Sequence, residues 1–150
     1  MRLNVSRWTQ TAFTGCTFVR CNLFDAAFTD CKLVGSSFEG CALDLLKVSG
    51  GDWSYAGLAA ADLRSTTLDG VRLREADLSG ARLQGATLTD CDLSGASWAK
   101  ADLARCDLRG SDLSSLDPAT VQLRGAVIDP LQAMLIAAAM GLDVRASVER

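Results

Sequence analysis

The residues of this chain best suited to chemistry are its six cysteines, because thiols bind metals, form disulfides and act as nucleophiles. They are Cys16, Cys21, Cys31, Cys41, Cys91 and Cys106. No two of them form a Cys-x-x-Cys motif, and the chain contains no histidine that could complete a zinc site. The sequence therefore predicts neither a metal site nor a cofactor.

Catalysis is not expected either. Histidine, the commonest general base at neutral pH, is absent, and the carboxylates are spread along the chain. No glycine-rich phosphate-binding motif is present. We predict that the chain is not an enzyme, and we assign no catalytic residue.

The positions of these residues follow a period of five. A large apolar residue recurs every fifth position from residue 3 to residue 128, interrupted only by Pro118. Five residues turn a helix by about 500° and reverse the side of a strand, so neither element would keep these side chains on one face. The chain must instead turn a corner every five residues.

A second column, two residues before each large one, is small. It holds Ala, Cys, Ser, Thr or Gly at all but four places between residues 6 and 126, and all six cysteines lie in it. The exceptions are Leu46, Val71, Leu116 and Val121. A thiol in such a column serves as a small apolar side chain, which we take as the role of the cysteines.

Three segments show the repeat most clearly: Ala76-Asp77-Leu78-Ser79-Gly80, Cys91-Asp92-Leu93-Ser94-Gly95 and Ala101-Asp102-Leu103-Ala104-Arg105. They resemble the Ala-Asp/Asn-Leu-x-x pattern of the pentapeptide-repeat family, and the repeat covers about five sixths of the chain. The resemblance implies an all-β solenoid, a right-handed quadrilateral β-helix with four pentapeptides per coil. The large and the small columns would point inward, and residues 1–128 would form about six coils. Cys21 and Cys41, one coil apart, would stack.

Residues 129–150 have a different pattern and are predicted to form a C-terminal helix and tail. Asp129 is a good N-cap, Pro130 a good first helical residue, and Gly141 suits a left-handed stop. One apolar stripe should cap the open end of the coils: Leu131, Met134, Leu135, Ala138 and Leu142. A second stripe would form a symmetric dimer: Ala133, Ile136, Ala137 and Met140. The alternative is that both stripes fold into the monomer.

The tail beginning at Asp129 resembles the dimerising tail of family members that bind bacterial DNA gyrase and protect it from quinolone-type poisons. Those proteins are acidic rods that occupy the DNA-binding groove of the enzyme. One predicted face of this chain carries a candidate partner-binding acidic set: Asp30, Asp69, Asp90 and Asp107. We expect Asp69, Asp90 and Asp107 to line up one coil apart as an acidic stripe. On this reading the dimer binds gyrase or another type II topoisomerase as a DNA mimic, and contacts neither nucleic acid nor a membrane.

The net charge is only −3, too little to match DNA, which carries one charge per ~1.7 Å. A general protein-interaction scaffold therefore stays as the alternative. No signal peptide is recognisable, and the longest apolar stretch, residues 133–142, is too short to span a bilayer. A cytoplasmic location is expected.

Overall fold

The strands of this protein are short and all parallel, and each lies directly over a strand 20 residues away. The structure, a computed structural model, describes residues 1–148. Its strands are β1 (Arg7–Thr9), β2 (Thr17–Val19), β3 (Ala27–Thr29), β4 (Ser37–Glu39), β5 (Lys47–Ser49), β6 (Thr67–Asp69) and β7 (Thr87–Thr89). A 3-10 helix (Pro118–Thr120) and helix α1 (Pro130–Ala139) follow. No helix within residues 1–148 is long and apolar enough to span a membrane.

The strands and the isolated bridges between them form four faces, which we number 1 to 4 and define by the central residues whose side chains point inward. Face 1 is centred on Trp8, Phe28, Val48, Leu68, Leu88, Leu108 and Ile128 and contains the sheet β1-β3-β5-β6-β7. Face 2 is centred on Phe13, Leu33, Trp53, Leu73, Leu93 and Leu113. Face 3, centred on Phe18, Phe38, Leu58, Leu78 and Trp98, contains β2-β4. Face 4 is centred on Leu3, Leu23, Leu43, Leu63, Leu83, Leu103 and Leu123.

The predicted solenoid is confirmed, with its two inward columns forming one continuous core. Leu23, Leu83 and Leu103 have no exposed surface, and the small residues Ala26 and Ala76 are equally buried. Leu3 and Leu123, in the first and last coils of face 4, are only partly buried. The five strands of face 1 span about four turns, and two isolated bridges, from Thr87 to Asp107 and from Asp107 to Val127, continue the same stack beyond β7.

The corners explain how the chain turns so often. The second residue after each inward centre has a positive φ at every coil corner from residue 5 to residue 125, except Ser65, Ser115 and Thr120. Many of these turns are stabilised by an aspartate that directly precedes the inward central residue and accepts a hydrogen bond from the backbone two residues further on. Asp77 Oδ1, for example, accepts the N–H of Ser79 at 3.0 Å. The aspartate of the repeat is thus first a structural residue.

Helix α1 begins as predicted, with Asp129 as its N-cap and Pro130 in the first turn. Asp129 and Gln132 form a reciprocal capping box. Gly141, at φ 86°, follows the helix in the left-handed conformation. The division of the chain at residue 128 stays a prediction, and the last two residues of the predicted segment 129–150 lie outside the described residues.

The side of α1 that meets the solenoid differs from the prediction. Gln132, 3% exposed, donates from Nε2 to the carbonyls of Leu108 and Ser111, the latter at 2.8 Å. Ile136 packs against the core beside it. The predicted capping stripe is wrong, since four of its members are 49–68% exposed and Ala138 is exposed too: Leu131, Met134, Leu135 and Leu142. Two hydrogen bonds to carbonyls at the end of the stack fix the helix orientation, which apolar periodicity could not reveal.

Candidate protein-binding surface

A groove of about 640 Å³ runs along the corner between face 1 and face 2. Three glycines on its floor, Gly50, Gly51 and Gly70, leave the space that side chains would fill. Gly51 is required here, because it has a φ of 86° and an added Cβ would lie 2.8 Å from the backbone nitrogen of Cys31. The groove is therefore built into the coil stack by glycine at the corner.

Aspartates dominate the charge of this corner groove. Its charged residues are Asp30, Asp52, Asp90 and Asp92 with Lys32 and Arg72. Asp52 lies 3.7 Å from Arg72, and Asp92 lies 4.0 Å from Arg74 outside the groove. Within residues 1–148, Asp30 and Asp90 form no ion pair and are exposed. These two carboxylates are available to a cationic partner.

The groove brings together two of the four predicted acidic residues. Asp30 and Asp90 occupy one column, three coils apart, which is ~14 Å at the usual strand spacing. Asp69 lies in the neighbouring column and accepts a hydrogen bond from Thr89 Oγ1 at 2.9 Å. Asp107 lies on the other side of the inward column. The expectation that Asp69, Asp90 and Asp107 line up one coil apart is wrong, because they occupy three different columns.

Asp107 is also already engaged within the chain. Its carboxylate accepts from Arg109 Nη2 at 2.7 Å and from the Arg109 N–H at 3.2 Å. The guanidinium of Arg109, against a smaller opposing effect of burial, lowers the pKa of Asp107. The same pattern holds for Asp92, whose pKa is lowered first by the hydroxyl of Ser94 at 2.7 Å. Both are turn-holding residues, so we assign the free acidity of this region to Asp30 and Asp90.

The second candidate binding feature is the exposed side of α1 and the turn after it. This apolar face of α1 consists of Leu131, Met134, Leu135, Met140 and Leu142, which are 49–68% exposed. A cavity of about 250 Å³ lies beside it, between the 3-10 helix and the end of α1, lined by Pro118, Ala119 and Met140 among others. Of the dimer residues predicted from sequence, Ala133 and Met140 are exposed, while Ile136 and Ala137 are partly buried, Ile136 against the core of the coils.

All six cysteines are free. Burial raises the pKa of Cys91 to about 11 and that of Cys106 to about 12, so both thiols are unreactive near neutral pH. Among residues 1–148, no group of three or more potential ligand side chains is placed to hold a metal ion.

Comparison with known proteins agrees with this geometry. A family model for pentapeptide repeats matches eight copies within residues 21–45, 56–95 and 88–117. The chain belongs to the pentapeptide-repeat family. The resemblance seen in the sequence is thereby confirmed.

Solved structures of repeat proteins are similar only loosely. QnrB1, a plasmid-mediated fluoroquinolone resistance protein, shares 26% identity over 96% of this chain and 85% of its own, with a TM-score of 0.42. HetL, involved in heterocyst differentiation regulation in Nostoc sp. strain PCC 7120, shares 22% over 85% and 84%, with a TM-score of 0.27. A repeat protein of the Arabidopsis thaliana thylakoid lumen shares 26% over 65% and 66%, with a TM-score of 0.36. Comparison with curated proteins finds no match. With TM-scores below 0.5, these structures carry no functional argument for this pentapeptide-repeat protein.

Sequence reasoning missed two features of the surface. The groove follows from Gly50 and Gly70, which stand 20 residues apart in the column of Asp30 and Asp90. Aligning the corner residues of the sequence at intervals of 20 would have shown this column of glycine and aspartate. The docking role of Gln132 was harder to predict. It is one polar residue among apolar ones, and the sequence indicated only that it could form a capping box with Asp129, three residues before it.

Proposed function

We propose that this pentapeptide-repeat protein is a non-catalytic, cytoplasmic binding protein that docks its acidic corner groove into the DNA-binding groove of a type II topoisomerase, DNA gyrase in particular. The observation that supports it is the pair of exposed carboxylates of Asp30 and Asp90, which form no ion pair within residues 1–148 and lie along one side of the coil stack. Basic side chains that normally contact phosphates would contact these carboxylates instead. The protein would compete with DNA and so modulate the enzyme or protect it from poisons that act on its DNA complex.

Charge density limits how this binding would work. Over the ~14 Å between Asp30 and Asp90, duplex DNA carries about eight charges, whereas four aspartates and two cations line the corner groove. The protein would thus present carboxylates along a line, as a DNA strand presents phosphates, but with far fewer charges. Such binding depends on long-range attraction, which speeds association and is screened over ~10 Å at 0.1 M salt. We expect the affinity to fall steeply as salt rises.

Dimerisation would add a second contact to this weak one. In this proposal the apolar face of α1 meets the same face of a second copy about a two-fold axis, the commonest symmetry of homodimers. The interface residues then become Leu131, Met134 and Leu135, together with Met140 and Leu142. Changing Leu131 and Leu135 together to Glu should give a folded monomer in light scattering. An unmodified protein that is monomeric at micromolar concentration would contradict this part of the proposal.

The decisive experiment is DNA supercoiling by purified gyrase, with and without a fluoroquinolone, over a titration of this protein. Asp30→Asn/Asp90→Asn keeps residues that tolerate a positive φ and removes only charge. We expect it to weaken inhibition by roughly tenfold, since each exposed charge contact contributes up to ~1 kcal/mol.

The matched control is Glu39→Gln/Glu75→Gln, which changes the net charge equally on other parts of the rod. Both glutamates are exposed and, within residues 1–148, neither forms an ion pair. The control should inhibit as the unmodified protein does. If both double variants weaken inhibition equally, binding follows net charge and the corner groove has no special role. No inhibition by the unmodified protein would refute the topoisomerase proposal.

A general protein-interaction scaffold is the second candidate, and the apolar face of α1 favours it. Five exposed apolar residues on and after one helix offer a contact that needs no charge complementarity. A scaffold of this kind would bind its partner with little dependence on salt. It would also lose binding in Leu131→Glu/Leu135→Glu while keeping it in Asp30→Asn/Asp90→Asn, the reverse of the order expected for a charge-driven DNA mimic.

A further inference from the structure

Two of the six cysteines occupy adjacent coils of one column. Cys21 and Cys41 are 20 residues apart in the small inward column before face 4. Cys31 and Cys91 share a different column but are separated by Gly51 and Val71. The other two have non-cysteine neighbours one coil away, Ser36 beside Cys16 and Ala86 beside Cys106. Within the coil stack, one cysteine pair is thus placed at the spacing of neighbouring strands.

The backbone holds this pair at a distance that suits a disulfide. The N–H of Ala42 donates to the carbonyl of Cys21 at 3.0 Å, and the bridge between Asn22 and Ala42 fixes the register. Neighbouring strands lie ~4.8 Å apart, and disulfides join Cα atoms separated by roughly 4.4–6.8 Å. The register therefore places the Cα atoms of Cys21 and Cys41 within the range that a disulfide joins.

The thiol of Cys41 is directed toward the coil that contains Cys21. Its Sγ donates to the carbonyl of Phe18, in the preceding coil, at 3.2 Å. Cys21 itself is 5% exposed, whereas Cys41 is half-buried. A reagent from solvent would therefore meet Cys41 first, with Cys21 behind it.

Access to Cys41 comes through a separate groove of about 390 Å³. The small residues Gly40, Ala59 and Ala60 line it and leave room for a reagent, and its charged residues include Arg82 and Asp62, which form an ion pair at 3.4 Å. Burial, partly offset by the backbone of Cys21, raises the pKa of Cys41. Reaction at this thiol should consequently be slow near neutral pH and faster as pH rises.

We propose that Cys21 and Cys41 form a reversible disulfide by exchange with a low-molecular-weight disulfide such as glutathione disulfide. The Cys41 thiolate attacks one sulfur of glutathione disulfide, forming a mixed disulfide and releasing one glutathione thiolate. The Cys21 thiolate then attacks Cys41 Sγ, forming the intramolecular bond and releasing the second glutathione thiolate. The two thiol protons of the protein pass to the two glutathione thiolates, so two cysteines are oxidised as one glutathione disulfide is reduced.

The test is to incubate the native protein with glutathione disulfide at about pH 8, where thiolate is more abundant. The intact mass should fall by two hydrogen atoms, and four of the six thiols should remain titratable. In a Cys31→Ala variant, trypsin gives peptides 21–32 and 33–47 with one cysteine each, and these should be joined until dithiothreitol is added.

Two variants separate the steps. Cys41→Ala should lose the intramolecular bond, and Cys21→Ala should accumulate one glutathionyl group on Cys41; alanine is tolerated because it fills the next coils of this column, as Ala81 and Ala101. The proposal is overturned if the native protein keeps all six thiols, if the mixed disulfide at Cys41 persists with Cys21 present, or if the peptides are joined only after oxidation in urea.

Discussion

The two halves of the solenoid share one period but satisfy it with different residues. Six of the seven inward aromatic residues lie between residues 8 and 53, and five of the seven strands lie before residue 50. Beyond residue 57 the inward centres are leucine, apart from Trp98, up to the interruption at Pro118. Aspartate just before the centre is absent up to residue 47 and occurs eight times from residue 52 onward.

None of the eight pentapeptides with an aspartate before the centre forms a strand. All seven strands lie in repeats with no aspartate before the centre, as in β7, which has Thr87 there. In the next coil of the same face Asp107 takes that place, accepts the N–H of Arg109, and forms only an isolated bridge. A side chain that bonds the backbone two residues ahead favours a turn over a strand. The N-terminal half is thus stabilised more by aromatic packing and the C-terminal half more by leucine and aspartate-held turns.

The largest effect should come from placing a charge in the leucine column. Leu83→Asp should unfold the protein, because Leu83 has no exposed surface and lies between Leu63 and Leu103; the cost should exceed about 4 kcal/mol. Leu3→Asp, at the half-buried end of the same column, should cost much less. Urea unfolding followed by circular dichroism measures both. A folded, equally stable Leu83→Asp protein would rule out the register.

Two tryptophans compare the halves directly. Trp53 stacks on Phe38 with ring centroids 5.6 Å apart and meets the edge of Phe28 at 5.5 Å. Trp98 is similarly buried, but among residues 1–148 it has no aromatic partner. Trp53→Ala should cost about 3–5 kcal/mol plus roughly 0.5–1.5 for each lost ring pair, and so more than Trp98→Ala. Denaturant melts that rank the two equally would remove the aromatic cluster as the distinguishing feature.

The cap of the C-terminal half should depend on Gln132 rather than on the apolar stripe. Gln132→Ala removes two hydrogen bonds to buried carbonyls and half of the capping box, so a loss of about 2–3 kcal/mol is expected. Leu131→Ala, at a 68% exposed position, should change stability by less than ~0.5 kcal/mol. Hydrogen exchange in residues 130–139 would report undocking. Equal protection in both variants would argue that apolar contacts hold the helix.

The smallest expected effect is a difference in acid sensitivity. Carboxylates with lowered pKa values contribute stability that is present above their unfolded pKa of ~3.9 and is lost as pH falls through the lower folded value. Hydrogen bonds from Arg64 and Arg109 lower the pKa values of Asp62 and Asp107, both in the C-terminal half. At the border of the N-terminal half, and against the opposing effect of burial, hydrogen bonds from Ser54 lower the pKa of Asp52 too, so the two halves should differ only modestly. Below about pH 4 that half should lose roughly 1 kcal/mol or less, as exposed pairs are weak.

Single-tryptophan proteins can measure this difference. Trp53→Phe leaves Trp98 to report on the C-terminal half, and Trp98→Phe leaves Trp53 to report on the N-terminal half, once Trp8 is also replaced by Phe in both. Fluorescence at Trp98 should change at a higher pH than fluorescence at Trp53. Asp107→Asn, which keeps an oxygen for the turn but loses the charge, should reduce the gap; coincident acid transitions would show that the halves unfold as one unit.

The sequence predicted the solenoid because its period is a geometric requirement repeated along the chain. Both inward columns must be apolar to fill the core, and even the large exceptions in the small column, Leu46, Val71 and Leu116, are apolar and buried. The surface follows no such requirement. Asp30 and Asp107 belong to one face in sequence, yet Asp107 is held by Arg109 whereas Asp30 has no ion-pair partner in the part of the chain that the structure describes. That difference depends on side-chain contacts. The docked side of α1 was missed for the same reason.

The constant spacing of the bridges allows the coils to fold one after another while the chain is being synthesised. Every bridge within residues 1–148 joins residues 20 apart, so each new coil closes a loop of the same length onto the coil before it. At the usual rate of translation one coil is completed every ~1–4 s. The nascent chain can therefore add coils one at a time to a finished template, beginning with the aromatic end. Gln132 can bind only when Leu108 and Ser111 are already in place, so docking of α1 must follow closure of the coil that contains them.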